Sequence, residues 1–397
     1  MLSRMQDPVP GPMADQVPNP VTGRDTLHRA RRLVVKIGSS SLTTPTGVNG
    51  QAIDSLVDTL AAVRARGTEV VLVSSGTIAA GIHPLGLGKR PRDLATQQAA
   101  AAVGQGKLLA RYTASFARHG LEVAQVLLTA EDLIRRTQYT NAHRALNRLL
   151  ALDVVPIVNE NDTVTTAEIR FGDNDRLSAL VANLLRADAL LLLTDVDALY
   201  TAPPSRPGSR RIRHVAARSD LDEVLIGRTG PAGVGTGGMV TKVDAAGIAT
   251  GSGIHALVTS AAHAEAALAG EDVGTWFQAS GRRQSARGIW LGLLAEVQGR
   301  VVIDDGAVTA VVTNKRSLLP AGITGVQGRF DAGDPIELAD ARGTVVARGF
   351  VNYSSTELPG MLGRRTAQLL EEFGPEYQRP VVHTDDCVRL PLRSRRT

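Results

Sequence analysis

The 397-residue chain, 43% hydrophobic and 21% charged, has an ordinary globular composition and is long enough for about two domains. Its apolar runs are too short to span a bilayer, and a single cysteine, Cys387, excludes an internal disulfide framework. The formal net charge of +5 sits in the ends, +2 in residues 1–32 and +3 in residues 379–397, so the formally neutral body lacks the basic footprint of a nucleic-acid-binding protein.

Residues 1–28 carry several prolines among Gly, Asn and Asp with no apolar periodicity, which predicts a disordered extension. No charged-then-apolar signal segment opens the chain, and a cytoplasmic location is expected. LVVKIGSS then predicts a buried strand running into a glycine turn. Ile53, Leu56, Val57, Leu60 and Val63 recur at helical spacing between Gln51 and Arg66, and VVLVSSG follows as the next strand and loop. The Ala-rich stretch Ala95 to Arg118 reads as helix interrupted by Gly104 and Gly106. EVAQVLL reads as strand, Glu131 to Leu150 as helix, VVPIVNEND as strand and loop, Arg176 to Leu185 as helix, and ALLLLTDVDALY as strand.

Strands and helices that alternate over short connections predict an α/β fold, an open and mostly parallel sheet sandwiched by helices. From Gly299 the texture changes to closely spaced Val-, Gly- and Asp-rich segments (RVVIDDGAV, GITGVQGRF, DPIELAD, TVVARGFVNY), which predict a small β-rich barrel or sandwich. The expected division is therefore an extension over 1–28, an α/β domain over 29–279, a linker over 280–296, a β-rich domain over 297–380 and a basic tail over 381–397.

The segment Glu160 to Ala179 gathers Asp162, Asp173 and Asp175 with Asn161 and Asn174 just after a buried strand, where open α/β sheets hold small ligands. The same residue types also suit ordinary turns. Lysine is rare: there are five, Lys36, Lys89, Lys107, Lys242 and Lys315. Lys36 precedes Gly38-Ser39-Ser40, and Lys242 closes TGGMVTK at the start of a helical pattern. Glycines let backbone N–H groups approach an anion, and a neighbouring ammonium adds a compact charge for a phosphoryl oxygen. Neither loop has the Walker pattern. None of the eight histidines lies in these loops, where a hydroxyl acceptor would want a base. A carboxylate acceptor, ionised at neutral pH, needs charge neutralisation instead, and two lysines with a metal ion supply it.

The strings VVKIGSS, VLVSSGTIAAG, VVPIVNENDTVTTAEIRFGDNDRLSA, LLLLTDVDALYT and GVGTGGMVTK resemble the glutamate 5-kinases, of the amino-acid kinase fold, collinearly from about residue 32 to 277. The region after 297 resembles a PUA domain. The resemblance implies transfer of a phosphoryl group from ATP, with Mg²⁺, to the γ-carboxylate of L-glutamate, the first step of proline biosynthesis. It places Lys36, with Gly38 and Ser39, at the ATP phosphates, and Thr194 and Asp195 against the nucleotide. Thr236, Gly237, Gly238, Met239, Val240, Thr241 and Lys242 would form a second phosphate loop, with Lys242 at the transferring group. Ser75, Asp162 and Asn174 would contact glutamate, and Asp173 and Asp175 would position the lysines or the magnesium, or cap the following helix.

No residue is assigned as a metal ligand of its own. L-proline is the expected feedback inhibitor, glutamyl-phosphate reductase a plausible recipient of the labile product, and a homo-oligomer the family habit. Residues 281–378 balance eleven basic against eleven acidic side chains, which argues against RNA binding by the PUA-like part. Two alternatives stand: a sibling kinase acting on acetylglutamate or aspartate, and an RNA-binding PUA protein with a vestigial kinase domain.

Overall fold

The computed structural model describes residues 23–44, 47–129, 131–133, 135–165, 174–221, 224, 238–279, 291 and 297–390. The first unit runs α1 (Asp25–His28), β1 (Arg32–Ile37), α2 (Ser39–Leu42), β2 (Thr43–Thr44), β3 (Gly47–Val48), α3 (Gly50–Ala65), β4 (Glu69–Val73), α4 (Thr77–Ile82) and α5 (Leu94–Ala117). It continues through β5 (Val123–Leu128), α6 (Arg136–Ala151), β6 (Val155–Glu160), α7 (Asn174–Leu184), β7 (Ala189–Thr194), β8 (His214–Val215), α8 (Met239–Gly251), β9 (His255–Ser260), α9 (Ala264–Leu268) and β10 (Thr275–Phe277).

Eight of these strands form one sheet in the order β5-β6-β4-β1-β7-β9-β10-β8. Every neighbouring pair is parallel except β9 with β10. The alternating pleat sends side chains to two separate cores. On one face Val34, Val71, Val158, Leu190 and Leu192 pack under α6, α7 and α8. On the other Leu33, Val35, Leu72, Ile157, Leu191 and Leu193 pack under α3, α5 and α9. Burial on both faces is why the central strands are continuous apolar runs.

The chain steps from β1 to β4 on one side and later returns to β7 on the other, so the order reverses at β1. Ligands in such sheets bind outside the carboxyl ends of the strands at that reversal. Those ends here carry Lys36, Ser74, Asn159, Glu160 and Thr194.

A second unit comprises β11 (Gly299–Ile303), α10 (Asp305–Val308), β12 (Ile323–Gly328), β13 (Pro335–Ala339), β14 (Val345–Val351), α11 (Thr366–Phe373) and β15 (Val382–Arg389). Its five strands pair in the order β12-β11-β13-β14-β15 around their own core, with Val301, Ile303, Ile336, Leu338 and Val346 at its centre.

Several expectations differ from the structure. Helix α5 is continuous through Gly104 and Gly106, although their low helix propensity predicted a break. Gly104 is there because α4 crosses α5 so closely that a Cβ would overlap the Thr77 carbonyl oxygen. The helix expected from Glu131 begins at Arg136, after a short 3₁₀ turn over Glu131–Leu133. The helix expected near Arg176 begins at Asn174. The extension expected to be unstructured through residue 28 includes α1, whose Leu27 is fully buried. The tail expected from residue 381 contributes β15, whose backbone pairs with β14 despite the charges in HTDD. Most of the expected linker lies outside the described residues.

Candidate active site

Lys36 is the fifth residue of β1, with its backbone locked between β4 and β7. Its side chain is only 1% exposed, and Nζ stands 2.6 Å from Oδ1 of Asp175. Lys242, in the first turn of α8 and 5% exposed, reaches the other oxygen of the same carboxylate, Oδ2, at 3.1 Å. The Thr241 hydroxyl donates to that Oδ2 at 2.9 Å. Asp175 itself is fully buried in the first turn of α7. A carboxylate in that position is past the cap, so its oxygens are committed to side chains of other elements.

Burying an ammonium without a counter-charge costs several kcal/mol, and one carboxylate here serves two. Two ammonium groups gathered in a place withdrawn from water are suited to a multiply charged anion. A second pair, Arg176 with Asp244 at 3.1 Å, joins α7 to α8 and fixes Asp175 against Lys242. Half-buried Met239 packs into the core beneath α8 and anchors the helix start.

A glycine lies close to each lysine in the chain. Gly38 donates its N–H to the Leu193 carbonyl at 3.3 Å and precedes α2, which begins at half-buried Ser39. Gly38 sits 3.8 Å, measured from its notional Cβ, from the Lys36 ammonium. Gly238 is the N-cap of α8, a 13-residue helix, so the positive end of its dipole lies beside Lys242. Val240 is exposed. Thr236, Gly237 and Asp173 lie outside the described residues. Thr194 closes β7 almost fully buried and donates to the exposed Asp195 at 2.9 Å.

Asn174, first residue of α7 and 6% exposed, donates through Nδ2 to the Ser74 carbonyl at 2.6 Å and to Asn159 Oδ1 at 2.5 Å. Asn159 in turn donates to Gln105 Oε1 at 2.6 Å. The Ser74 hydroxyl meets the Tyr112 hydroxyl at 3.1 Å, and complete burial pushes that phenol above its ordinary range. Ser75 follows half-buried, and Gly76 turns the chain with φ +93°, a conformation that favours glycine. Thr77 opens α4 and donates to Asp162 Oδ2 at 2.8 Å.

The structure thus brings Lys36, Lys242 and Asp175 into contact, and joins Asn174 to the serine loop and Asp162 to the residue that opens α4. Sequence reasoning passed over Thr77, Gln105 and Tyr112. Their only sequence signal is a polar residue on an otherwise apolar or Ala-rich helical stretch. Among the described residues no group of three or more His, Cys, Asp or Glu could hold a metal ion, and no helix is long and apolar enough to cross a membrane.

The model of the amino acid kinase family matches residues 31–260, and that of the PUA domain matches residues 299–373. The chain is similar to the glutamate 5-kinase of Streptomyces coelicolor, 60% identical over 368 residues, covering 92% of this chain and 98% of that one. It is also similar to the glutamate 5-kinases of Thermobifida fusca (61% over 369 residues, 92% and 95% covered) and Salinispora arenicola (61% over 368 residues, 92% and 100% covered). Among solved structures, a carbamate kinase from Giardia lamblia bound to AMP-PNP aligns at TM-score 0.49 and 17% identity, over 63% of this chain and 99% of that one.

Proposed function

Because the chain belongs to the amino acid kinase family and, within it, to the glutamate 5-kinases, we propose that its paired lysines stabilise direct transfer of a phosphoryl group from ATP to the γ-carboxylate of L-glutamate. The reaction is ATP-dependent glutamate phosphorylation, the opening step of proline biosynthesis. The observation that supports the mechanism best is the Asp175 carboxylate held between Lys36 and Lys242.

A glutamate γ-carboxylate oxygen attacks the γ-phosphorus of ATP, and the bond to the β-phosphate oxygen breaks with its electron pair going to ADP. No proton moves, because a carboxyl with an ordinary pKa of about 4.3 is already ionised. The barrier is alignment of two anions and the charge that spreads over the equatorial oxygens. Lys36, with the backbone of Gly38 and Ser39, holds the ATP phosphates. Lys242, with the loop from Thr236 through Gly237, Gly238, Met239, Val240 and Thr241, holds the transferring group. Asp175 keeps both ammonium groups in place before substrate arrives, so little reorganisation is needed. Thr194 and Asp195 lie against the nucleotide. Asp162 takes the ammonium of glutamate, and Ser75 and Asn174 bind its carboxylates.

Mg²⁺ fits this arrangement as an ion carried by the phosphates. Asp175 is already committed to two lysines, and Mg²⁺ usually keeps waters and takes one or two carboxylates beside substrate phosphates. Asp173 is the remaining candidate carboxylate. Bound there, the ion would neutralise charge on the β- and γ-phosphate oxygens.

The enzyme is proposed to act in the cytoplasm as a homo-oligomer, with L-proline competing in the glutamate pocket. Its acyl phosphate would pass to glutamyl-phosphate reductase. For the PUA domain a structural or regulatory role accords with its neutral charge better than RNA binding. The test is ADP release over a panel of amino acids, with and without proline. Turnover on glutamate and not on aspartate is expected; the reverse would overturn the reading.

A further inference from the structure

We propose that Thr77 is a positioning residue for the acceptor: its hydroxyl fixes the Asp162 carboxylate in the orientation that receives the substrate ammonium. The proposal rests on the reading of Asp162 as the glutamate ligand and adds to it a determinant of acceptor affinity.

Thr77 Oγ1 donates to Asp162 Oδ2 at 2.8 Å, across 85 residues of sequence. Asp162 sits in the turn that follows β6, with no strand or helix of its own to hold it. Its side chain alone could adopt several rotamers. Thr77 is the opposite case. It is 4% exposed, it opens α4 directly after the left-handed turn at Gly76, and a β-branched residue has few χ1 options.

Its backbone is also tightly packed. A Cβ on Gly104 of α5 would overlap the Thr77 carbonyl, and a Cβ on Gly81 would overlap the Ala100 carbonyl, so α4 and α5 cross backbone to backbone at two points. The hydroxyl is thus mounted on a tightly packed crossing and holds a carboxylate of the loop after β6. An ionised carboxylate has about four acceptor sites, so the bond to Thr77 does not by itself exhaust them. Because Ser75 lies two residues before Thr77, the bond also ties two acceptor-binding elements together.

The test compares Thr77→Val, which keeps shape and loses the hydroxyl, with Thr77→Ser, which keeps the hydroxyl. Steady-state kinetics and thermal melts are measured on the full chain. We expect Thr77→Val to raise KM for glutamate roughly tenfold, with kcat and KM for ATP within about twofold. Thr77→Ser should stay within about threefold of the unaltered enzyme. Asp162→Asn is run alongside, and adding Thr77→Val to it should change KM for glutamate little further. If Asp162→Asn raises KM for glutamate and Thr77→Val does not, the positioning role is wrong while the acceptor site stands. If Thr77→Val and Thr77→Ser weaken ATP and glutamate alike, Thr77 is merely structural. If Asp162→Asn leaves KM for glutamate unchanged, Asp162 is not the ligand and the proposal falls with that reading.

Discussion

Lys36 Nζ stands 2.6 Å from Asp175 Oδ1, with both side chains sealed from solvent. Since the second oxygen holds Lys242, removing this one carboxylate takes a shared counter-charge from two buried ammonium groups. Asp175→Asn should cost about 3–5 kcal/mol of stability. It should also lower kcat at least about a hundredfold through lost preorganisation. A thermal melt and an ADP-release assay on the same sample read both effects; unchanged turnover would remove Asp175 from the mechanism.

Lys242 lies in the first turn of α8 and is proposed to act on charge that grows as the phosphoryl group moves. Lys242→Ala should therefore lower kcat about 10²–10³-fold and leave KM for glutamate within a few-fold. A rise in KM that matches the fall in kcat would assign the lysine to ground-state binding.

The crossing of α4 and α5 gives two glycines of α5 opposite fates. Gly104→Ala drives a methyl group into the Thr77 carbonyl and should destabilise by about 2–3 kcal/mol or more. Gly106→Ala meets open space on the same helix and should stabilise by about 0.5–1 kcal/mol. Urea midpoints for the two variants decide this, and equal effects would deny the close crossing.

Burial pushes the Cys387 thiol up to about 11. The folded state then holds its proton where the unfolded chain, with a thiol near 9, has released it. That contribution to stability is complete below pH 9 and is lost as pH rises towards 11, roughly 2–3 kcal/mol in all. Cys387→Ala should flatten this part of the stability curve, measured as denaturant midpoints against pH. The native protein should also resist a thiol reagent at pH 8 until denaturant is added.

Much of the fold was readable because parallel strands buried on both faces must be continuous apolar runs, as in Ala189–Thr194. The two lysines stood out by rarity and by their glycine loops. The bridging role of Asp175 did not, since an acidic residue near a helix start reads equally as a local cap. Its true partners come from β1 and α8, and only the assembled sheet brings them together. Gly104 misled for a related reason: propensity is local, and the neighbour that needs the glycine lies on another helix. Strand β15 was hidden because an edge strand is held by backbone bonds to β14, which leave its side chains free to be polar.

The central claim concerns two ammonium groups on one carboxylate at the transferring phosphoryl group. A crystal structure with ADP, glutamate and aluminium fluoride tests it most directly. We expect the Nζ atoms of Lys36 and Lys242 within hydrogen-bond reach, about 3 Å, of the fluoride ligands or the bridging phosphate oxygens, with Asp175 still joining them. Lysine side chains turned away from the fluoride, or an Asp175 that contacts neither, would contradict it.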